Sequence, residues 1–355
     1  MKVLFVTGVF ENDANGAARF AKLVYDLGGS NFYIMSEDTL GGDRIIRISG
    51  KPKWYQRKLW QYFRIQHFKK ELDSRKTDFD VFVFNNPILA YGFNTDKPCY
   101  TFVHDEKLMK VIMTFRFDFI RRHILRRFEK KVLESGIHVI ANSRHIHHRI
   151  LETYNVKKKN LSVLYQGIRL DDKFRAYEMD FSKRPIQILF VKNDFELGGL
   201  PDLITALGLL KKYQFHLNIV GTSPKVNKKL VRFANVSYSV RGILSNKEVI
   251  DLMYESHLLC IPARYEPLGV TIMEGLAVGI PTLTTGVGGL PEVTNDGKYV
   301  WECKPNDPRS IADQIEACLT NNDSLREEKS MQGKNFIHQK FDFRNVVSKL
   351  KSLLH

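Results

Sequence analysis

The sequence predicts an α/β protein with two doubly wound domains, each built on a parallel sheet, and three observations support this. The chain has 355 residues, which exceeds one ordinary core and favours two domains. Short apolar runs alternate with helical stretches along its length, as parallel α/β sheets require. The polar stretch 171–184 interrupts the series, and a new apolar run follows Pro185. We therefore predict a first domain over 1–175 and a second over 184–340.

The alternation assigns strands and helices to each domain in order. In the first domain, strands are predicted at 3–9, 31–35, 45–48, 80–84, 100–103, 138–141 and 161–165, with helices near 16–27, 53–72, 107–134 and 144–154. In the second, strands are predicted at 186–191, 216–220, 236–240, 257–261, 281–284 and 299–301, with helices near 200–212, 225–234, 246–255, 268–279, 307–320 and 323–339. Ser245 and Glu248 have the spacing of a capping box, which predicts a helix start at that point.

Composition indicates a folded, soluble protein, with 43% hydrophobic and 26% charged residues. The four cysteines are scattered, without a Cys-x-x-Cys pair. We interpret them as reduced core residues of a cytoplasmic protein rather than a disulfide framework or a zinc site. The apolar run at the N-terminus is too short for a signal sequence and is predicted to be a buried strand. No run of 18 apolar residues occurs, so no membrane-spanning helix is expected.

Positive charge is concentrated in the first half of the chain. Residues 1–180 hold 32 Lys and Arg against 21 Asp and Glu, which implies an anionic partner such as a membrane surface, a phosphorylated substrate or nucleic acid. The segments 53–70 and 115–131 mix aromatic and basic residues at helical spacing. Such helices can lie on an anionic bilayer, or they can cover a sheet with a solvated basic face. No nucleic-acid-binding module is recognisable, so nucleic acid is not an expected partner.

Two carboxylates stand out in the second half, because Glu266 and Glu274 are eight residues apart in an otherwise apolar segment. Glu274 is the only charged residue from Pro267 through Pro291. A buried, ionised carboxylate costs several kcal/mol unless a partner compensates it. A ligand in a cleft, such as a sugar with its hydroxyl groups, would supply the donors. Backbone amides or a hidden arginine are the alternative.

The residues around this pair form a longer ordered motif, consisting of Pro262, Tyr265-Glu266-Pro267, Gly269, Glu274-Gly275, Gly279, Pro281 and Gly288-Gly289-Leu290-Pro291-Glu292. The motif resembles the donor-sugar signature of the retaining family-4 glycosyltransferases with the GT-B fold, a Glu-x7-Glu pair before a Gly-rich turn. The resemblance implies two Rossmann-like domains facing a central cleft, with the last helix, about 341–355, packed back on the first domain. It also implies a metal-independent transferase without a cofactor, which moves a sugar from a UDP- or GDP-sugar to a sugar or lipid-linked acceptor. The setting would be polysaccharide or lipopolysaccharide biosynthesis, in the cytoplasm or peripherally at the inner face of the plasma membrane.

The resemblance assigns roles to individual residues. Glu266 would be catalytic, by bonding hydroxyl groups of the donor sugar and stabilising positive charge at its anomeric carbon, and Glu274 would bind the ribose. His104, at the end of the strand 100–103, aligns with a histidine that relatives place beside the donor sugar, although a lone histidine is more often structural. The start of the helix after Glu266 would present its positive dipole end to the donor diphosphate, through Pro267, Leu268, Gly269 and Val270.

Two further loops are predicted to contact the donor. Asn15 and Gly16 follow the first strand, where relatives carry Gly-Gly-Ala-Glu-Arg and the backbone lies close to the donor phosphate. In this chain Asn15 replaces the first glycine of that pattern and Ala18 the glutamate. The loop at Arg241 and Gly242 resembles the place where relatives hold the nucleobase.

The loop 193–200 departs from the family pattern. Relatives have an arginine and a lysine that hold the diphosphate, where this chain has Leu197 and Gly198. Each lost charged contact is worth about 1.5–3 kcal/mol. Lys192, next to Asn193, is the nearest replacement cation, and Arg241 and Arg264 are others. Without a replacement, the protein would be a non-catalytic GT-B-like binding or scaffolding subunit.

Overall fold

The computed structural model describes residues 1–8, 10–11, 16–38, 42–48, 60–105, 116–170, 176–178, 180–221, 230–320 and 323–355, without the side chains of 60–62 and 116–122. The chain forms two compact units. Unit 1 consists of residues 1–166 and 344–355, and unit 2 consists of residues 167–343.

Unit 1 contains a seven-stranded parallel sheet in the order β3-β2-β1-β4-β5-β6-β7. Its strands are β1 Val3–Val6, β2 Phe32–Ser36, β3 Ile45–Arg47, β4 Val81–Phe84, β5 Cys99–Val103, β6 His138–Ala141 and β7 Leu161–Val163. Its helices are α1 Gly16–Gly28, α2 Trp60–Ser74, α3 Arg116–Leu133, α4 Arg144–Thr153 and, at the chain end, α11 Phe343–Leu354.

The sheet of unit 1 is covered on both faces, which explains its uninterrupted apolar strands. Every residue of β1 and β4 is buried, and β1 pairs in parallel with both β2 and β4. The strand order therefore reverses between β1 and β4. Loops that follow the two strands at such a reversal diverge and leave a crevice at the carboxyl edge of the sheet.

Unit 2 contains a six-stranded parallel sheet in the order β10-β9-β8-β11-β12-β13. Its strands are β8 Ile186–Val191, β9 Phe215–Val220, β10 Val236–Gly242, β11 Leu258–Ile261, β12 Thr282–Thr285 and β13 Trp301–Cys303. Its helices are α5 Leu200–Leu209, α6 Asn246–Tyr254, α7 Val270–Val278, α8 Leu290–Thr294, α9 Pro308–Thr320 and α10 Asp323–Lys340. The strand order reverses between β8 and β11, which are hydrogen-bonded neighbours.

The predicted fold class is confirmed, since each unit is a parallel α/β layer structure. A strand lies at or next to each predicted place, although β13 is at 301–303 instead of 299–301 and β1 ends at Val6 instead of residue 9. The helix predicted near 225–234 is wrong over 230–233, which are irregular and lead through a turn into β10, while 225–229 lie outside the described residues. The cause is tertiary. The Asn235 amide donates to the carbonyls of Leu207 and Leu210 at the end of α5, at 2.9 and 3.2 Å, and this fixes the chain in a turn.

The four cysteines are distributed over the two units. All four thiols are free, with Cys260, Cys303 and Cys318 buried and Cys99 half-buried. Within the described part of the chain, no helix has the length and apolar character needed to cross a membrane.

Candidate active site

Lys192 and Glu266 follow the two central strands of unit 2, β8 and β11, at the point where the strand order reverses. Lys192 comes directly after β8, and Glu266 lies in the loop between β11 and α7. Neighbouring parallel strands end at the same edge of a sheet, and open α/β sheets bind ligands there. The fold thus brings together the predicted catalytic carboxylate and the predicted replacement cation.

The Glu266 carboxylate has two partners. Its Oε2 forms an ion pair with Nζ of Lys192, and its Oε1 accepts a hydrogen bond from the backbone N–H of Gly269 at 3.1 Å. The side chains of Lys192 and Glu266 are 20% and 16% exposed, so both charges are partly screened from water and still accessible. Charged hydrogen bonds of this kind are stronger than neutral ones. The result is a rigidly held carboxylate with a cation at one oxygen and a helix start at the other.

The helix start beside Glu266 depends on Gly269. This residue is the N-cap of α7 and has φ +97°, a left-handed conformation that glycine adopts without steric cost. The Gly269 carbonyl accepts the first hydrogen bond of the helix, from the Met273 N–H at 3.0 Å. The N–H groups of the first turn therefore have no acceptor within the helix, and together with the helix dipole they favour an anion at this end of α7.

The backbone of Glu266 is fixed by the Gly-rich turn after β12. The Gly289 N–H donates to the Glu266 carbonyl at 2.9 Å. Gly288 has φ +63°, and a Cβ atom placed there would lie 2.0 Å from the same carbonyl oxygen. The Gly-rich turn thus contacts the residue that carries the candidate catalytic carboxylate.

Glu274 is buried inside α7, at 6% exposure, and has an internal donor that the sequence did not reveal. The side-chain amide of Asn246 donates to its Oε1 at 2.8 Å. Asn246 is the first residue of α6, which begins with the predicted capping box of Ser245 and Glu248. The capping box was the only signal for its position, and it did not indicate a contact with Glu274. Ribose binding by Glu274 stays a prediction.

Arg264 and Arg241 already have partners within unit 2. Arg264 donates from Nε and Nη2 to the Asp202 carboxylate, at 3.0 and 2.8 Å, and from Nη1 to Glu196 at 3.2 Å. Arg241 donates from Nε and Nη2 to Oδ1 of Asn218, at 3.1 and 3.0 Å. Of the three candidate cations, Lys192 is the one paired with Glu266. Donor contacts of the two arginines stay predictions.

The other predicted donor residues of unit 2 lie at neighbouring strand ends. Asn193 is exposed and lines a pocket of about 470 Å³ between the loop after β8, the start of α5 and Val231. Gly242 ends β10 with φ +71° and open space on its Cα. Glu266 does not line that pocket. Among the described residues, no group of three or more His, Cys, Asp or Glu side chains could hold a metal ion.

In unit 1, His104 belongs to a polar network at the carboxyl edge of the sheet. The amide nitrogen of the buried Asn85 donates to Thr7 Oγ1 at 3.1 Å and to the Ala17 carbonyl at 2.9 Å. Its Oδ1 therefore faces Nε2 of His104, at 2.7 Å. Because a carbonyl oxygen only accepts, Nε2 must carry the proton. The tautomer of His104 is thus set by Asn85, a residue that sequence analysis did not select.

Two acceptors in this network have no hydrogen-bond partner within the described structure. They are Nδ1 of His104 and Oδ1 of Asn142, and both atoms are buried. The Asn142 amide donates to the His104 carbonyl at 2.9 Å, so both acceptors belong to one locality. Gly16 begins α1 in the same unit, and its carbonyl accepts from the Gln166 side chain at 2.5 Å. Asn15 lies outside the described residues.

Stability should depend on pH through His104, because burial lowers its pKa from 6.5 to about 4. The unfolded chain takes up a proton below pH 6.5 that folded His104 does not accept until pH 4. The stability that this histidine contributes is therefore present above pH 6.5 and is lost as the pH falls, by on the order of 2 kcal/mol at pH 4.5. His104→Gln keeps a donor for Asn85 and removes the titration. Urea unfolding at pH 7 and pH 4.5 should show a smaller acid loss for the variant, and equal losses would contradict the assignment.

Comparison with known proteins finds one family match in each part of the chain. Residues 176–336 match the family model of glycosyl transferases group 1, and residues 30–172 match that of glycosyltransferase family 4. The uncharacterized glycosyltransferase MJ1178 of Methanocaldococcus jannaschii is 29% identical over 226 residues, which cover 62% of this chain and 60% of the relative. The capsular polysaccharide biosynthesis glycosyltransferase CapM of Staphylococcus aureus is 22% identical over 277 residues, which cover 74% of this chain and 71% of CapM.

A solved structure with the same fold is that of HepE from Anabaena in complex with UDP-glucose. It has a TM-score of 0.74 and 15% sequence identity, and the match covers 100% of this chain and 99% of HepE. The fold is that of the GT-B class. With a family-4 match in its first part and a group-1 match in its second, the chain is a family-4-like glycosyltransferase. It spans about 60% of the length of MJ1178.

Proposed function

We propose that this protein transfers a sugar from a nucleoside-diphosphate sugar to an acceptor, with retention of anomeric configuration and without a metal ion. The observation that carries the proposal is the contact of Lys192 with Glu266 beside the N-terminus of α7. This group offers a cation, a carboxylate and helix N–H groups without an acceptor inside the helix, all after neighbouring strand ends of unit 2. A sugar diphosphate needs all three, because it presents hydroxyl groups at one end and two anionic phosphates at the other.

Lys192 and the α7 start would act on the leaving group. Cleavage of the donor releases a nucleoside diphosphate, on which negative charge increases as the bond to the sugar breaks. Preorganised donors aimed at such charge are commonly the largest contribution to catalysis. Lys192 supplies a full positive charge, and the first turn of α7 supplies N–H groups and the positive end of its dipole. This electrostatic contribution is available without a metal.

Glu266 would act on the sugar. Its carboxylate accepts hydrogen bonds, so hydroxyl groups of the sugar can orient on it. Its negative charge would also stabilise positive charge at the anomeric carbon as the leaving group departs. The Lys192 ammonium is paired with this carboxylate, and it would also contact the anion at the start of α7. Within unit 1, His104 is a neutral imidazole at pH 7, because burial lowers its pKa to about 4.

Replacing Lys192 should weaken binding of the donor diphosphate. Lys192→Met keeps the aliphatic stem and removes the charge, and a charged phosphate contact of about 1.5 kcal/mol or more corresponds to at least a tenfold change in Kd. The wild type is first screened with UDP, GDP and their glucose conjugates by thermal shift, and the Kd of the binder is then measured by calorimetry. Lys211→Met, at an exposed lysine of unit 2, is the control. An unchanged Kd for Lys192→Met would remove Lys192 from the donor site.

The same screen tests the rival possibility of a non-catalytic GT-B-like subunit. An enzyme that binds a sugar nucleotide should also hydrolyse or transfer it slowly, with release of the nucleoside diphosphate. Retention is then checked by NMR of the anomeric proton in the product. A protein that binds the sugar nucleotide without any turnover in the presence of candidate acceptors would support the binding role.

We further propose that the acceptor is a glycan or a lipid-linked glycan of a polysaccharide pathway. CapM of S. aureus, a relative over 74% of this chain, is named for capsular polysaccharide biosynthesis. In unit 1, the described part of α3 has an outward basic face, with Arg127, Lys130 and Lys131 exposed beside Ile124 at 43% exposure. The opposite side of α3 packs on the unit through the buried Leu125, Val132 and Leu133. At the border of the basic face, Phe128 stacks on Tyr91, with ring centroids 4.0 Å apart.

Binding to acidic membranes should follow from this basic face. Vesicles with anionic lipid should bind the protein, whereas neutral vesicles should not, and each surface cation contributes about 1 kcal/mol. Binding should also fall at high salt, because the Debye length shrinks from about 30 Å at 0.01 M to about 3 Å at 1 M. The measurement is vesicle co-sedimentation of the wild type and of a variant with Arg127, Lys130 and Lys131 changed to Glu. A matched variant with Lys211, Lys247 and Lys304 of unit 2 changed to Glu should still bind. Equal binding of both variants would contradict membrane docking through α3.

A further inference from the structure

Gly198 lies directly against the side chain of Lys192, and the space between them is too small for any other residue. A Cβ atom built on Gly198 would lie 2.9 Å from Lys192 Cγ, 3.0 Å from Lys192 Cβ and 2.6 Å from Phe190 Cζ. Carbon atoms in contact normally stay more than 3.4 Å apart. A side chain at position 198 must therefore displace Lys192 or Phe190.

The loop that carries Gly198 cannot move away to make this space. The Gly198 N–H donates to the Asp194 carbonyl at 2.9 Å, and the Arg264 N–H donates to the Leu197 carbonyl at 2.8 Å. Gly199 has φ +77°, and a Cβ atom there would lie 2.1 Å from the Pro262 carbonyl oxygen. Backbone contacts thus hold the loop on both sides of Gly198.

The backbone of Lys192 is equally fixed. Its N–H donates to the Val220 carbonyl at 3.0 Å, and its own carbonyl oxygen lies 2.0 Å from the position of a Cβ atom on Gly221. The Phe190 ring is fully buried and packs on Phe195, whereas the Lys192 side chain is 20% exposed and has the greater freedom. Crowding at position 198 would therefore move the stem of Lys192 and take its ammonium group away from Glu266.

We infer that Gly198 is a positioning residue that directs the Lys192 ammonium group to the Glu266 carboxylate and the diphosphate beside it. This inference rests on the proposed function and refines it. A cation at position 192 and a side chain at position 198 exclude each other in this chain. The residue that replaces the lysine of the family pattern is therefore required for the substitute cation to work.

For a lysine at position 198, the crowding of Lys192 and the added charge have opposite effects on diphosphate binding. Gly198→Lys adds a positive charge to the loop, and charge alone would strengthen binding of a diphosphate. Because the added side chain displaces Lys192, Gly198→Lys should instead weaken binding about tenfold, and Gly198→Ala should weaken it to a similar degree. Restoring the family residue should reduce function.

The test uses the full-length protein and the nucleoside diphosphate, UDP or GDP, that binds the wild type. Calorimetry gives its Kd for the wild type, Gly198→Ala, Gly198→Lys, Lys192→Met and the double variant Gly198→Ala with Lys192→Met. We expect about tenfold weaker binding for each single variant at position 198 and no further loss in the double variant, since both changes remove the same contact. The corresponding nucleoside without phosphates, titrated by NMR, should bind all variants alike.

Gly208→Ala is the matched control for crowding alone. Gly208 is also buried in unit 2, and a Cβ atom there would lie 2.4 Å from the ring of Phe233. It should lower the thermal stability and leave the Kd of the diphosphate unchanged. If Gly198→Ala does not fold, Phe190→Leu is added to it, because this change removes the ring that would lie 2.6 Å from the new Cβ atom. The variant with Gly198→Ala and Phe190→Leu should still bind the diphosphate weakly.

The outcomes separate the inference from the proposed function. A wild type that binds neither UDP nor GDP removes the proposed function, and the inference with it. If the wild type binds one of them, the inference is overturned by a Gly198→Lys variant that binds as well or better. It is also overturned by equal losses for nucleoside and diphosphate, or by losses that add in the double variant.

Discussion

Glu266→Gln is expected to lower turnover of the sugar nucleotide at least about a hundredfold, while the protein stays folded. The glutamine amide can still accept from the Gly269 N–H, but it carries no charge to oppose positive charge at the anomeric carbon. The measurement is the rate of nucleoside diphosphate release with the sugar nucleotide that the wild type uses, together with its Kd. The rate should fall far more than the affinity, because the charge matters mainly in the transition state.

The control for this variant is Glu255→Gln, which changes an exposed glutamate at the end of α6. It should leave both the rate and the affinity unchanged. Turnover within threefold of the wild type for Glu266→Gln would remove Glu266 from the chemistry. If turnover falls only in proportion to the amount of folded protein that is lost, the carboxylate has only a structural role.

Gly288→Ala is expected to have the largest effect on stability. The residue has φ +63°, and the new Cβ atom would lie 2.0 Å from the Glu266 carbonyl oxygen and 3.0 Å from its carbonyl carbon. Both neighbours are backbone atoms, so the overlap is relieved only by moving the turn or the loop of Glu266. We expect a loss of about 3 kcal/mol or more in the free energy of unfolding, with loss of turnover.

The glycine at the C-terminal end of α7 separates the cost of a positive φ from the cost of the steric overlap at Gly288. Gly279 has φ +91°, and a Cβ atom there would meet its nearest neighbour at an ordinary 3.7 Å. Gly279→Ala should therefore cost about 1–2 kcal/mol, the cost of a left-handed conformation for a residue with a side chain. Urea unfolding gives both values. Equal losses for the two variants would show that Gly288 does not support Glu266 through close packing.

Sequence patterns predict the fold well because they are local. A buried parallel strand is a short apolar run, and each such run in this chain became a strand of the predicted sheet. The Glu-x7-Glu motif and the strand end at Lys192 also selected two residues that the fold brings into contact, Glu266 and Lys192. Their proximity follows from parallel strands that end at one edge, and this needs no knowledge of individual contacts.

The remaining features of the site depend on contacts between distant parts of the chain. The Asn246 donor to Glu274, the Asn85 partner of His104 and the binding of Arg264 by Asp202 have no local signature. The same applies to residues 230–233, where Asn235 bonds to the end of α5 and prevents the predicted helix. In the sequence, Gly198 shows only that a cation of the family pattern is missing. Its packing on Lys192 depends on how the loop after β8 folds.

The two units differ in how the chain builds them, and this has a consequence for folding during synthesis. Unit 2 is one continuous segment, 167–343, whereas unit 1 needs both 1–166 and the residues 344–355 of the last helix. A ribosome therefore completes unit 2 before it has made the final piece of unit 1. Domains fold as units when their residues become available. Unit 2, the segment proposed to bind the nucleotide, should therefore reach its native state first, and unit 1 should complete its folding only after residues 344–355 have been made.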